Sequence, residues 1–479
     1  MKLKKLLQPF PEIQVKGSKD REVLDIVSQS QMASPGSLFI ARRGEHFDGN
    51  KFVPQAIESG AVCVMSDLYD PSLTCVTQLI VEDLVGAEAK LAARLWSNPS
   101  HELEMIGVTG TSGKTTTSYM LYQILSFLGE QSGLIGTVAY IGGSQFREAS
   151  RTTPEASVTQ KLLREMLLHG ARSCVMEVSS HALAQRRVDQ IRFTGAIFTN
   201  LSHEHLDYHG SMQEYAKAKS LLFQGLSEQA IAVVNGQDPY VEMVTASKAR
   251  TCTYAVDAEA DLVASELEMT SAGTRCTPTY KGVCKPVEIA LVGRFNVENM
   301  LAAVGYLLLS GRDFDKIIEV LARLRPPPGR LEKVETVKDV DVYVDYAHKE
   351  DALEKTLTAL REVCTGRIIT VFGCGGCRDR EKRPSMAKVA ERLSDLVVVT
   401  SDNPRTEDPM RIIDEICTGF SKLEPIVEPS RKEAIERSLA LSHEGDIVLI
   451  AGRGHEKKQV LADRTIEFDD AEVVRQWRG

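Results

Sequence analysis

Short apolar runs alternating with amphipathic stretches set the rhythm of the chain. Residues 37–41, 62–66, 105–108, 132–136, 173–178, 196–199 and 230–235 are compact apolar runs, whereas 51–59, 86–96, 116–130, 157–169 and 215–223 space their apolar side chains as a helix does. Strand and helix in turn predict a mainly parallel sheet with helices on both faces. Residues 250–292 are rich in Thr, Val and Tyr, with Gly273 and Gly282 at turns, which predicts a strand-rich lobe; an Ala- and Leu-rich helix follows over 297–310. Residues 342–345, 367–372, 395–400 and 446–451 predict a second parallel α/β sheet. Two breaks divide this pattern, Asn98-Pro99-Ser100 and the Arg-Pro-Pro-Pro-Gly run at 325–329. The predicted fold class is therefore α/β in three domains: a small α/β domain over 1–100, a central doubly wound P-loop domain over 101–325, and a Rossmann-like domain over 326–479.

On such sheets ligands bind beyond the carboxyl ends of the strands. The run at 105–108 ends in Gly110-Thr111-Ser112-Gly113-Lys114-Thr115-Thr116, where two glycines let the chain bend and turn amide groups and a helix N-terminus toward a phosphate. Lys114 adds a mobile charge for outer phosphates and Thr115 a hydroxyl for magnesium. The first glycine of the usual GxxxxGK[ST] pattern falls on Val108, so the strand and helix around the loop carry the reading as a triphosphate cradle. Glu177, closing the run at 173–178, can ligate magnesium opposite Thr115 or cap a helix. His203, His205 and His209 are wrongly spaced for a zinc helix, but His205 can reach a metal shared with phosphate. Lys217 and Lys219 sit on an amphipathic helix, where lysine is ordinarily a solvated face. In the last third, each strand runs into a charged or glycine-rich cluster, DYAHKED, GCGGCRDREKRP, SDNPRTEDP or GRGHEKK, and four such loops form one face of a site.

Composition narrows the class. At 43% hydrophobic and 26% charged residues over 479 positions, the chain is an ordinary globular protein. A net charge of -9 argues against nucleic acid as main partner, and neither a signal peptide nor an 18-residue apolar run is visible, so a cytoplasmic, non-membrane protein is expected. The ten cysteines are scattered, and the pair Cys374 and Cys377 has no second CxxC to complete a zinc site.

The ordered run TGTSGKT, TTP, EVSSHAL, TNLSHEHLDYHG, YAKAK, GRFNVEN, VDYAH, KRP, DNPR and GRGHE resembles the Mur ligases, ATP-dependent amide-forming enzymes of peptidoglycan precursor synthesis, over nearly the whole length. The resemblance implies that 110–116 hold ATP with Lys114 on the transferred phosphate, that Thr115, Glu177, His205 and Lys219 serve magnesium, the last as a carbamylated lysine, and that Asn296, Asp345 and His348 meet the nucleotide. It implies catalytic roles for Lys114, Lys219 and His205. It places the UDP-N-acetylmuramoyl-L-alanyl-D-glutamate substrate against Ser30, the loop Glu45-His46-Phe47-Asp48-Gly49, Thr152, Thr153, Ser179, Gln185 and Arg187. The DNPR form resembles the branch that adds meso-2,6-diaminopimelate, held by Arg378, Asp402, Asn403, Pro404, Arg405, Gly452 and Glu456. Arg405 would pair with the carboxylate that lysine lacks. A monomer is expected. Departures from the family pattern fall at Gln29, Gln31, Ser112, Glu204, Lys349, Glu350, Cys377 and Glu381.

Two rivals remain at this point. Folylpolyglutamate synthetase shares the cradle but lacks a first domain like the one this chain places before residue 101. A P-loop binding protein without ligase activity would not need Glu177, His205 and Lys219 all filled.

Overall fold

The computed structural model describes residues 1–44 and 48–479, which form two compact units, Met1–Tyr254 with Ala302–Arg312, and Ala255–Leu301 with Asp313–Gly479. The expected loop at 45–49 lies outside the described residues at Glu45, His46 and Phe47.

The first unit contains two sheets. The smaller places its strands in the order Gln14–Lys16, Thr77–Ile80, Cys63–Ser66, Ser37–Ile40, Asp25–Val27, parallel except for the first pair. Side chains alternate between faces along a strand. Accordingly Leu38 and Ile40 pack with Leu3, Leu6 and Leu91 on one side, and Phe39 with Val53 and Ala56 on the other. Both faces are buried, which is why these strands read as continuous apolar runs instead of alternating ones.

In the larger sheet Ser132–Ile135, Ser173–Glu177, Glu104–Thr109, Gly195–Phe198, Ile231–Asn235 and Arg250–Val256 lie side by side and parallel. Its edge is an antiparallel hairpin, Ala139–Gly142 with Gln145–Glu148. Glu104–Thr109 lies between Ser173–Glu177 and Gly195–Phe198, so three polar strand ends meet at 110–116, 177–181 and 199–205. The helix Lys114–Phe127 leaves this edge and buries Met120, Leu121, Ile124 and Leu125.

In the second unit the strands Leu262–Thr270, Gly273–Tyr280, Val283–Cys284 and Val287–Ile289 form the expected strand-rich lobe, all antiparallel. A six-stranded sheet follows in the order Glu332–Val334, Asp341–Asp345, Ile447–Ala451, Ile368–Phe372, Leu396–Val399, Ile426–Val427, parallel after its first pair. Tyr343, Phe372, Val399 and Leu449 pack on one face, Val342, Val371, Val398 and Ile450 on the other. The register sets Asp345 beside Ala451 and Phe372 beside Val399, so the four polar loops leave one edge together.

Candidate functional site

The glycine loop adopts the conformation its composition allows. Gly110 and Gly113 have φ of +151° and +84°, and a Cβ on Gly110 would collide with the Thr199 side chain. The loop is laced to the neighbouring strand end: Thr111 N donates to Asn200 O (2.8 Å), Ser112 N to Asn200 Oδ1 (3.0 Å), and Thr199 Oγ1 to Ser112 O (2.6 Å). Lys114 folds back, its Nζ donating to Gly110 O (2.9 Å) and Thr111 O (2.7 Å).

Glu177 is almost fully buried at the floor of this loop. Its Oε2 accepts from Thr115 Oγ1 and Thr137 Oγ1, both at 3.0 Å, and its Oε1 from Thr137 N at 2.7 Å. Thr137 Oγ1 also lies 3.1 Å from Thr152 Oγ1, while Thr153 Oγ1 donates to Glu177 O (2.8 Å) and accepts from Ser179 N (3.1 Å). Arg187 Nη1 donates to Thr153 O (3.0 Å) and Nη2 to Gln185 Oε1 (2.5 Å). One chain of hydrogen bonds thus joins Thr115, Glu177, Thr152, Thr153, Ser179, Gln185 and Arg187. A cluster of hard oxygen donors around a buried carboxylate suits magnesium in donor chemistry.

Lys219 is only 1% exposed and donates to Gly110 O (2.7 Å), the carbonyl that Lys114 also uses. Its Nζ stands 4.5 Å from the centre of the Tyr215 ring. Burial, reinforced by the Lys114 charge, holds its ammonium well below the ordinary lysine range. Tyr215 in turn has its hydroxyl 3.1 Å from Thr111 Oγ1. His205, in left-handed backbone at φ +57°, meets the His181 ring edge-on at 4.7 Å and sets Nε2 3.7 Å from Glu204. Ser30 is buried and donates to Gln55 Oε1 (2.7 Å) within the first sheet's own elements.

In the second unit Asp345 is buried, accepting from Leu331 N (2.7 Å), Ala347 N (2.9 Å) and Thr356 Oγ1 (3.3 Å). Burial still raises its carboxyl above the usual range. Burial drives the His348 imidazole down to about 4, and Lys382 Nζ donates to His348 O at 3.0 Å. Asn296 Nδ2 donates to Val292 O (2.8 Å) at the start of the helix Arg294–Leu309. Among the strand-end loops, Asn403 Nδ2 donates to Glu456 Oε2 (2.7 Å), and Asn403 Oδ1 accepts from Val460 N (2.9 Å) and the buried Arg453 (3.3 Å). Gly452 lies so close to Asp402 that a Cβ there would stand 2.8 Å from Asp402 Oδ2. Arg405 Nη1 donates to Gly376 O (2.6 Å), Pro404 is buried, and Arg378 is exposed on the same loop as Gly376.

Sequence reasoning overlooked Thr137, Asn200 and Tyr215 in the first unit, and Arg330, Lys382, Arg383 and Arg453 in the second. Arg330 stacks its guanidinium 4.7 Å from the Tyr346 ring, directly after the proline run, and that adjacency was the available signal. Cys374 is buried against Met386 and Cys377 is exposed beside Thr406, both as free thiols.

This arrangement is that of the Mur ligases, and the chain belongs to that family. Models of the family's catalytic domain, its middle domain and its glutamate ligase domain match residues 26–95, 108–307 and 329–454. Among its relatives, the UDP-N-acetylmuramoyl-L-alanyl-D-glutamate–2,6-diaminopimelate ligase of Chlamydia trachomatis serovar D is 43% identical, with 99% of this chain and 98% of that protein covered. The ligase 1 of the same name from Clostridium acetobutylicum is 40% identical over 100% of this chain and 99% of that protein. A solved structure of a UDP-N-acetylmuramoyl-L-alanyl-D-glutamate–2,6-diaminopimelate ligase superposes with a TM-score of 0.68 at 30% identity, covering 99% and 98% of the two chains.

Proposed function

We propose that the protein uses ATP to join meso-2,6-diaminopimelate to the D-glutamyl γ-carboxylate of UDP-N-acetylmuramoyl-L-alanyl-D-glutamate, forming an amide, ADP and phosphate. The observation that carries this is the glycine loop held at both ends, the buried Glu177 bonded to Thr115 and the buried Lys219 amine bonded with Lys114 to the Gly110 carbonyl. In this reading 1–100 take the UDP substrate, 101–325 ATP and 326–479 the amino acid; family models matching 26–95, 108–307 and 329–454 support the division.

The γ-carboxylate attacks the γ-phosphorus of ATP, the bond to ADP breaks, and an acyl phosphate results. The diaminopimelate amine then adds to that carbonyl, phosphate leaves, and the amine gives up a proton. Phosphoryl transfer needs neutralised charge more than covalent help, so Lys114 and the amides of 110–116 carry the first step. Magnesium, when bound, supplies further neutralisation and would be held by Thr115, Glu177, His205 and a carbamylated Lys219. The neutral Lys219 amine can add to carbon dioxide, releasing a proton and leaving a carbamate whose oxygens attract a cation that ammonium would repel. Asn296, Asp345 and His348 serve the nucleotide; Thr152, Thr153, Ser179, Gln185 and Arg187 line the path of the UDP substrate, with Ser30 at its nucleotide end. His205 and His348 are candidates for the base in aminolysis. A cytoplasmic monomer without a membrane partner belongs to the same reading. No helix among the described residues is long and apolar enough to cross a membrane.

Arg405, Arg378, Asn403 and Glu456, with Asp402, Pro404 and Gly452 shaping the turn, would hold the two charges at the far end of diaminopimelate. A ligand lacking that carboxylate leaves the cations unpaired, and discrimination of about 10⁴ follows. The test is phosphate release from ATP with the UDP-muramoyl dipeptide, comparing meso-diaminopimelate with L-lysine. Release with diaminopimelate alone is expected. Equal release with lysine would overturn the specificity, and release with neither the ligase reading.

A further inference from the structure

Arg383 lies outside every role assigned above, yet it is among the largest fully buried side chains, at 0% exposed, a burial that arginine seldom reaches. It sits in the first turn of the helix Lys382–Leu393. Nη1 and Nη2 both donate to Glu407 Oε2 at 3.1 Å, Nη2 donates to Glu407 Oε1 at 3.2 Å, and Nη1 donates to Glu415 Oε2 at 2.6 Å. Nη2 also reaches Gly375 O at 3.5 Å.

Glu407 passes this restraint to the two loops of the amino-acid site. Its Oε1 accepts from Cys377 N, and its own N donates to Pro404 O at 3.1 Å. Gly376 N donates to Asn403 O at 2.9 Å, and Gly376 O receives Arg405 Nη1 at 2.6 Å. Gly376 presses so closely on Pro404 that any Cβ would collide with its carbonyl, and Cys377 and Arg405 both hold left-handed backbone, at φ +54° and +53°. Two strained loops packed this tightly need an external fastening to persist. The fastening point, Cys377, directly precedes Arg378, and Glu407 follows Arg405 by two residues.

We infer that the buried Arg383 and the partly buried Glu407 form a latch that positions Arg378 and Arg405 for the far carboxylate of the amino-acid substrate, and so set its specificity without touching it. The inference deepens the proposed diaminopimelate site and rests on that reading. Glu415 separates the latch from general stability: it also pairs with Arg383 and with Arg380, but among the described residues its side chain bonds to neither the 373–378 nor the 402–407 loop.

The test compares Glu407→Ala with Glu415→Ala in the full-length chain, measuring KM for meso-diaminopimelate, ATP and the UDP-dipeptide separately. Glu407→Ala should raise the diaminopimelate KM about 10- to 100-fold, with the other two KM values within about twofold and kcat little changed. Glu407→Gln, which keeps an acceptor for Cys377 N, should recover part of the loss. Glu415→Ala should leave all three KM values near wild type. A diaminopimelate KM unchanged in Glu407→Ala, or all three values rising together, would overturn the latch. Wild-type enzyme that releases no phosphate with diaminopimelate removes the function reading instead. The latch is then decided by hydrogen exchange: faster exchange at 374–378 and 403–406 in Glu407→Ala supports it, and unchanged exchange overturns it. Should that variant fail to fold, Glu407→Asp, which keeps the charge but shortens the reach, is read the same way.

Discussion

Lys219 shows how much one residue's meaning depends on its surroundings. On the helix Met212–Gln224 its spacing alone fitted a solvated face, as it does for Lys217, which pairs with Glu214 on the surface. Burial separates the two, and burial of the carboxyl-end face follows from the sheet's topology, which no local window contains. Thr137 was illegible for a similar reason: a threonine in a Gly-Thr-Val turn carries no signal until the fold brings it to Glu177, 40 positions along the chain. Glu177, Lys114 and Thr115 were legible because a strand end and a glycine loop fix their places locally. If Lys219 acts as a carbamate, protein incubated with ¹³C-bicarbonate should show a carbamate carbonyl resonance in solution NMR. Lys219→Arg should lack that signal and lose turnover by about 10²- to 10³-fold, the scale of removing one preorganised electrostatic group. Full activity in Lys219→Arg would refute the role.

At the scale of elements, strands buried on both faces were readable as apolar runs, and so were the helices packed against them. The elements that escaped were those whose pattern is set by partners far away. The edge strand Gln145–Glu148 exposes all four residues and has no apolar face to announce it. The run expected as a helix at 51–59 splits into a 3-10 turn, Gly49–Phe52, and a shorter helix, Val53–Glu58, because Pro54 cannot donate to the preceding turn and so fits only near the start of a helix. Arg312, two residues beyond the predicted helix 297–310, closes a junction that no periodicity marks. It makes bidentate bonds with Glu104, both at 2.8 Å, and with Glu130 at 3.1 and 2.7 Å, while Tyr306 donates to Glu104 at 2.8 Å. The Glu104 and Glu130 carboxylates raise the Arg312 guanidinium above its ordinary range. Glu104 begins the strand that leads to the glycine loop, and removing only its cation leaves a mostly buried carboxylate unpaired. Arg312→Leu is expected to cost about 2–3 kcal/mol of stability, discounted from the full buried-pair value because the side chains keep some contact with water. Hydrogen exchange of the backbone amides of 104–109 at graded urea would measure it within the first unit; a loss under about 0.5 kcal/mol would mean that Tyr306 alone satisfies Glu104.

Across the whole molecule, each unit holds a basic side chain whose proton affinity burial lowers, Lys219 in the first and His348 in the second. Both depressions have the same sign: the native chain binds fewer protons than the unfolded chain, so these groups favour folding at higher pH and oppose it toward acid. For His348 the window is defined, since its folded value lies near 4 against an ordinary 6.5. Its contribution is complete above pH 6.5 and is lost as the pH falls through about 4. Between pH 7.5 and 4.5 the loss should amount to about 2–3 kcal/mol, because each tenfold difference in proton affinity between the folded and unfolded imidazole is worth about 1.36 kcal/mol. His348→Gln cannot titrate but keeps a donor for Tyr346 O, which His348 Nδ1 approaches at 2.9 Å. The variant should therefore lose less stability than wild type over this range, by about that amount. With two units a single unfolding free energy is ill-defined, so the measurement belongs to the second unit alone, through hydrogen exchange of the backbone amides of 341–357 at graded urea. Parallel acid sensitivity in wild type and variant would show that folding leaves the proton affinity of His348 unchanged, and would refute the depression.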